Sequence, residues 1–259
     1  MRELTSAQPG QPARDSLLTV AALAALAYMA ADVVHEAIGH GGACALAGGR
    51  IVRLGAAFFR CAPGMRVVDA AGPIANLVAA GLCFLALRWR RWSPPMRMFL
   101  LLAGVFNVFW PAAQMIYSAS LNRDDWAFAL RGLVPDALWR PGLIVLGTIL
   151  YAAALVVVRR ELPSSPDGGT RRLILMSYVA AGVAACAAAA FYAPDRLGAV
   201  RECALETFAA NAGLLFALRA RQGVAVGAAP AAPVARDARW IAAAIVAFAL
   251  FAASLGRGL

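Results

Sequence analysis

The chain contains no lysine and few of the patterns that mark nucleic-acid-binding or disulfide-rich proteins. All 24 basic residues are arginines, and they are spread over several segments, so the net charge of +10 does not indicate nucleic-acid binding. The five cysteines contain no C-x-x-C spacing and predict no disulfide framework, which leaves only a Cys44–Cys61 pair open. No convincing internal repeat is present, which argues against a repeat-built transporter.

Charged residues are also scarce, at 15% of the chain, whereas hydrophobic residues make up 62%. The mean hydropathy is +0.69, and several apolar runs approach the ~20 residues that a helix needs to cross a bilayer. We therefore expect an all-α polytopic membrane protein with about six to seven transmembrane helices, and a lipid bilayer as its surroundings. The first apolar run has no small-residue cleavage site after it, so we interpret it as a retained span.

The hydropathy pattern predicts where these spans lie. The expected spans cover about residues 17–47, 69–87, 98–119, 141–158, 173–192 and 240–255. Residues 203–218 form a weak further span or an interfacial helix. Glycines, β-branched residues and a Pro-Gly turn in residues 48–68 predict a short β-hairpin after the first helix.

Domain boundaries and orientation follow from the same pattern. We expect a disordered tail at 1–16, a membrane core at 17–140, and additional helices at 141–259 with linkers at 161–171 and 220–238. Three loops expected on one side carry four arginines each, 88–97, 159–172 and 219–239, and the 48–68 stretch on the other side carries four as well. By the positive-inside rule, these loops and the N-terminus are cytoplasmic, and the expected location is a bacterial inner membrane.

The only two histidines of the chain, His35 and His40, flank Glu36 at the end of the first apolar run. Two imidazoles and a carboxylate are the components of a hydrolytic zinc site. The spacing is H-E-x-x-x-H, which places the histidines about 140° apart on an ideal α-helix. They can share a metal only if the backbone is distorted, for example by a π-bulge, and Gly39 makes such a distortion easier.

Two known families have similar motifs. The sequence from His35 to His40 resembles the H-E-x-x-G-H zinc motif of the dipeptidyl peptidase III family. The order of motifs resembles the site-2 protease family of intramembrane zinc metallopeptidases over about residues 25–130. Gly72-Pro73-Ile74-Ala75-Asn76 matches the second motif of that family, and Asn107 to Pro111 followed by Asp124-Asp125 resembles a divergent third motif.

The second resemblance implies an intramembrane protease that uses Zn²⁺. His35, His40 and Asp125, with Asp124 as the alternative, would bind the metal, and Glu36 would activate the zinc-bound water. The implied substrate is a peptide bond in or near a transmembrane segment of another protein. These roles are expectations that come from the resemblance.

Several polar residues have more than one interpretation. Asp32 lies one turn before His35 and Glu36, so it is either a partner of these residues or an ordinary hydrogen-bonded helix residue. Asn76 either binds substrate or orients a metal ligand, or it joins two helices. Gly72 and Pro73 fit a helix start as well as a substrate-binding motif, and Asn107 fits packing as well as support of a ligand.

Two other functional classes remain open at this stage. One is a catalytically inactive relative that binds a regulatory membrane partner and tolerates loss of the Glu36 carboxylate. The other is a metal- or proton-handling membrane protein that uses Asp32, Glu36 and His40, which lie on one face of a regular helix. In that case His35 is dispensable.

Overall fold

The computed structural model describes residues 15–89, 91–161, 169–219 and 232–259. Six helices in this part of the chain are long and apolar enough to cross a membrane: Leu17–Leu46, Arg66–Leu87, Pro94–Leu121, Asp136–Glu161, Gly169–Ala189 and Ala238–Gly256. The prediction of an all-α polytopic protein is confirmed by the number, length and apolar composition of these helices. The expected tail falls mostly outside the described residues, as do the middle parts of both expected linkers.

The first helix consists of α1 (Leu17–Asp32), a π-helical segment (Val33–Gly41) and α2 (Gly42–Leu46). A hairpin of β1 (Arg50–Leu54) and β2 (Phe59–Ala62) follows. The remaining helices are α3 (Arg66–Leu87), α4 (Pro94–Leu121), α5 (Asp125–Leu130), α6 (Asp136–Glu161), α7 (Gly169–Ala189), α8 (Arg196–Ala204), α9 (Gly213–Arg219) and α10 (Ala238–Phe251). A π-helical turn, Ala252–Gly256, extends α10.

Local signals explain several helix ends. The Ser16 side chain caps α1 by accepting a hydrogen bond from the Thr19 amide, and Asp237 caps α10 in the same way through Arg239. Two prolines open α4, where their missing N–H groups cost nothing, and Asn122 ends this helix with a φ of 54°. The expected start of the second span at residue 69 is too late, because α3 begins at Arg66.

The π-helical segment does not break the first helix at its glycines. Gly41 and Gly42 both have right-handed helical dihedrals, so the helix continues without a break. The distortion begins at Val33 and takes the form of a wider turn, in which the Gly42 amide donates to the carbonyl of Ala37, five residues earlier. A distortion of the kind that a shared metal requires is therefore present, as a π-helical segment longer than a single turn.

The predicted hairpin is also confirmed. Its two strands pair antiparallel, with Ile51 opposite Cys61 and Leu54 opposite Phe59, and a bulge lies between Ile51 and Arg53. A disulfide joins Cys44 in α2 to Cys61 in β2. The Cys44–Cys61 pair, which the sequence allowed but did not predict, is thus formed, and it links the hairpin covalently to the end of the first helix.

Helix α1 lies at the centre of the fold, packed against α4, α7 and α10. Residues 15–19 lie at one end of the molecule, beside residues 234–237. The hairpin lies at the other end, where Leu54 exchanges two backbone hydrogen bonds with Leu259. We call these the N-terminal end and the hairpin end.

A broken helix over residues 196–219 connects the two ends. It consists of α8, a π-helical turn (Leu205–Ala209), a 3₁₀ turn (Ala210–Ala212) and α9. The Cys203 thiol donates to the carbonyl of Ala56 at the hairpin end, whereas the Phe216 carbonyl accepts from Arg159 at the N-terminal end. These 24 residues reach about 36 Å as a helix, which is enough to cross a ~30 Å hydrocarbon layer. The segment thus returns the chain to the N-terminal end.

Candidate metal centre

Three side chains from distant parts of the chain meet near the hairpin end. The Nε2 atoms of His35 and His40 lie 3.1 Å apart, and Oδ2 of Asp125 lies 3.1 Å from the first and 3.2 Å from the second. Both imidazoles are buried, and the Asp125 side chain is 16% exposed. Among the described residues these three form a group able to hold a metal ion.

The outer ring nitrogens of both histidines have oxygen partners. Nδ1 of His40 lies 2.6 Å from the carbonyl oxygen of Val68, and Nδ1 of His35 lies 2.8 Å from Oδ1 of Asn76. Asn76 is itself held in place, because its amide nitrogen donates to the Ala31 carbonyl and to Asn107. A carbonyl oxygen only accepts, so Nδ1 carries the proton and the Nε2 lone pair points into the centre.

When both imidazoles are neutral, as metal ligands are, the three inner atoms are all acceptors. Acceptors that meet in a buried space repel one another unless a cation or a proton lies between them. Zn²⁺ in a tetrahedral site has bonds of ~2.0–2.1 Å to histidine nitrogen and carboxylate oxygen, which separates neighbouring ligand atoms by about 3.3–3.4 Å. The observed separations of 3.1–3.2 Å are close to these values, so the residues fit such an ion.

Helix α5 begins at Asp125 and determines its position. Asp124 precedes this helix with φ 78° and ψ 177°, a region that residues other than glycine rarely adopt, and its side chain accepts from the Asp125 amide. Oδ2 of Asp125 also accepts from Nε2 of Gln114, at 2.9 Å. This strained start to α5 directs the carboxylate of Asp125, and not that of Asp124, at the histidines.

The two aspartates differ in electrostatics. Burial raises the pKa of Asp124 to about 7, and the neighbouring Asp125 carboxylate acts in the same direction. Burial also acts to raise the pKa of Asp125, but His40 and His35, when protonated, outweigh it and bring this pKa below its ordinary value. A cation in place of the imidazole protons would favour the ionised carboxylate in the same way.

Two glycines allow the π-helical segment to approach α3 closely. A Cβ atom on Gly39 would lie 2.6 Å from Cα of Gly72 and 2.8 Å from the carbonyl oxygen of Ala71. A Cβ atom on Gly72 would lie 2.6 Å from Cε1 of His40. Gly39 therefore serves this close contact between backbones, in addition to the flexibility that the sequence suggested.

Glu36 lies between the two histidines in the sequence, and it is buried, with 4% of its surface exposed. Its Oε2 atom has no hydrogen-bond partner among the residues that the structure describes. A buried carboxylate oxygen without a partner is costly, and such an atom in a native structure calls for an explanation.

The remaining sequence candidates have different positions. Oδ2 of Asp32 lies 3.5 Å from the Tyr28 hydroxyl, whereas its buried Oδ1 has no hydrogen-bond partner among the described residues. Pro73 lies inside α3 and not at its start. Asn107 supports Asn76 from α4 and is fixed by the Ala103 carbonyl.

Two aromatic side chains at the centre were missed by sequence reasoning. The Trp110 ring stacks on His35 with centroids 4.3 Å apart, and the Phe59 ring stacks on His40 at 5.2 Å. Both rings shield the imidazoles and limit their rotation. Aromatic residues are common in apolar segments, so nothing in the sequence distinguishes these two from packing residues.

The regular helix that would align Asp32, Glu36 and His40 is not present, because the π-helical segment begins at Val33. Within the described chain, the group able to hold a metal contains His35 and Asp125 instead of Asp32 and Glu36.

Compared with known proteins, the chain matches no protein-family model, no curated protein and no solved structure.

Proposed function

We propose that the protein is an intramembrane zinc metalloprotease, similar in its site to the site-2 protease family. The observation that carries this proposal is the buried meeting of His35, His40 and Asp125 beside the unpartnered carboxylate of Glu36. Two histidine nitrogens and a carboxylate oxygen that lie 3.1–3.2 Å from one another form a ligand set of the kind found in hydrolytic zinc sites.

His35, His40 and Asp125 would hold the zinc ion. When bound, zinc supplies Lewis-acid activation of a water molecule and of the scissile carbonyl. Glu36 accepts a proton from the attacking water and passes it to the leaving amine nitrogen. Asn76 and the Val68 carbonyl hold the imidazoles in the required tautomer, and Trp110 and Phe59 keep bulk water away from them.

Six apolar helices and the buried location of the centre support a substrate that is itself membrane-embedded. A peptide bond inside a regular transmembrane helix is shielded by its own hydrogen bonds, so we propose that the substrate is a segment unwound near the cleavage point.

Two observations support an orientation with the hairpin end outside the cytoplasm of a bacterial cell. The Cys44–Cys61 disulfide lies at this end, and disulfides persist in oxidising compartments. Arginines at the described ends of α3, α4, α6 and α7 lie at the opposite end: Arg88, Arg91, Arg97, Arg159, Arg160, Arg171 and Arg172. In intact cells, Gly64→Cys should react with a membrane-impermeant maleimide and Arg91→Cys should not; the reverse pattern would contradict this orientation.

Activity is tested with the purified, zinc-loaded full chain and a panel of single-span reporter proteins that carry a central Gly-Pro pair, with cleavage followed by mass spectrometry. Wild type should cleave at least one reporter. Glu36→Gln should retain zinc and lose about 10²–10⁴-fold in kcat. Glu161→Gln, which changes a glutamate far from the centre, serves as the matched control. Cleavage that survives Glu36→Gln, or a zinc-loaded wild type that cleaves none of the panel, would contradict the proposal.

A further inference from the structure

A cavity of about 640 Å³ adjoins the candidate metal centre. It lies between α4, α6 and the broken helix over residues 196–219. Three residues of its wall also support the centre: Trp110 stacks on His35, Gln114 donates to Asp125, and Asp124 precedes Asp125. A group bound in this cavity would therefore lie next to the site of reaction.

The wall of the cavity carries more acidic than basic groups. Its carboxyl groups belong to Asp124, Glu202 and Glu206, and its basic residue is Arg123. Arg123 already pairs with Glu202 at 3.3 Å, and Arg201 pairs with the same carboxylate at 2.8 Å. The carboxylate of Asp124 accepts from the Asp125 amide.

Glu206 differs from the other two acidic residues. Its Oε2 atom is buried and has no hydrogen-bond partner within the described parts of the chain. It lies in the π-helical turn where the helix over 196–219 breaks. The break is held in place, because the Tyr151 hydroxyl donates to the Ala210 carbonyl and accepts from the Gly213 amide. Such π-helical turns frequently occur at functional sites.

The chemistry of the cavity selects a class of ligand. A buried carboxylate oxygen without a partner, such as Oε2 of Glu206, costs free energy, and a bound cation removes much of this cost. Aromatic rings attract organic cations as well, and Tyr117 and Tyr151 line this cavity. The Arg123 guanidinium already lies 5.5 Å from the centroid of the Tyr117 ring. A volume of about 640 Å³ is that of an ordinary ligand pocket.

We propose that the cavity binds a substrate side chain that ends in an ammonium or guanidinium group on an apolar stem, with Glu206 as its ion-pair partner. The identification of the ligand as part of a polypeptide rests on the proposed protease function. A lysine or arginine inside a membrane segment is costly, and Glu206 would offset that cost at the point where the segment meets the metal centre. Glu206 would then be a specificity-determining residue.

The first arm of the test measures binding alone. Benzylammonium and its neutral analogue benzyl alcohol are titrated calorimetrically into the zinc-loaded full chain in detergent. Wild type should bind benzylammonium at least about tenfold more tightly than benzyl alcohol, and Glu206→Gln should abolish this difference. Glu161→Gln should leave it unchanged, because Glu161 pairs with Arg97 at the N-terminal end. Equal binding of the two compounds by wild type, or a difference that survives Glu206→Gln, would overturn the proposal.

The second arm identifies the source of the cation. A lysine, or the uncharged norleucine, is moved one residue at a time through a cleavable reporter segment. Wild type should prefer lysine over norleucine at one position by about tenfold in kcat/KM, and Glu206→Gln should lose that preference. Amine binding without any preference would overturn the assignment to a substrate side chain. If wild type cleaves no reporter, the protease proposal fails separately, and the binding arm still decides whether this cavity is a cation site.

Discussion

The Nε2 atoms of His35 and His40 lie 3.1 Å apart, although the two histidines are five residues apart in one helix. On an ideal α-helix they would point in directions about 140° apart. The π-helical segment Val33–Gly41 removes this difference, because its i→i+5 hydrogen bonds place residues five apart on the same face. The extra residue in the H-E-x-x-x-H motif is therefore compatible with a shared metal ion.

Zinc content should identify the ligands directly. We expect about one zinc per purified chain in wild type and its loss in His35→Ala, His40→Ala and Asp125→Ala, since each change removes one of three protein ligands. Asp124→Asn should retain zinc, because asparagine still accepts from the Asp125 amide and has nearly the same shape as the aspartate that already holds this backbone conformation. Elemental analysis of the purified variants measures their zinc content. Zinc lost in Asp124→Asn but kept in Asp125→Ala would make Asp124 the third ligand.

The close contact between the π-helical segment and α3 predicts a difference between two glycines of the same helix. Gly39→Ala should destabilise the protein by roughly 1–3 kcal/mol and reduce zinc binding, because its new methyl group would collide with the backbone of Gly72. Gly42→Ala should have little effect, since no atom lies within 4 Å of that methyl position. Thermal unfolding of both variants checks this, and equal melting temperatures would contradict the close-contact role.

The asparagine behind His35 should control zinc affinity. Asn76→Ala removes the acceptor that orients the imidazole, and we expect zinc affinity to fall about 10–100-fold. Asn211→Ala is the control, since Asn211 is also buried and donates to two backbone carbonyls in the broken helix. Both variants should lose stability, and only Asn76→Ala should lower the zinc affinity, measured in a competition titration with a chelator. A similar loss of affinity in both would argue against an orienting role.

The backbone of Asp124 predicts an unusual order of stability. At φ 78° a glycine is relaxed, whereas an alanine keeps the strain, and both variants lose the side-chain bond to the Asp125 amide. Asp124→Gly should therefore be more stable than Asp124→Ala, by about 1–3 kcal/mol. Thermal unfolding compares the two directly, and an alanine variant that is the more stable would show that the strain is absent.

The disulfide predicts a thiol count and a stability effect. Of the five cysteines, three should react with a maleimide in the denatured, unreduced protein: Cys83, Cys186 and Cys203. All five should react after reduction. Replacing Cys44 and Cys61 together by serine should lower the free energy of unfolding by about 3 kcal/mol, as expected for a closed loop of this length. Five reactive thiols before reduction would contradict the disulfide.

Much of the fold could be read from the sequence, because a membrane span is a local property. Apolar runs of about 20 residues predicted six helices that the structure contains, and the turn residues of 48–68 predicted the hairpin. Helix ends were predicted less well. Helix α4 runs from Pro94 to Leu121, past both expected limits, and α6 begins at Asp136, because the prolines that open α4 and the polar residues that open α6 do not belong to an apolar run.

Parts of the candidate centre could also be foreseen. The two histidines stood out because they are the only ones, and Asn76 stood out through its motif. The carbonyl of Val68 and the rings of Trp110 and Phe59 could not be foreseen, because backbone carbonyls and aromatic residues occur throughout the chain. Asp32 was a natural partner of His35 by helical spacing, but the π-helical segment turns His35 toward α3 and Asn76.

The sequence by itself determined the class of protein, the number of apolar helices and the residue types available for a metal centre. These depend on composition and on neighbours within a few turns. The tertiary structure decided that Asp125 and not Asp124 meets the histidines, and that Glu206 lines a cavity beside them. Those outcomes join residues as far apart as His35 and Asp125, 90 positions along the chain, and such contacts depend on how whole helices pack.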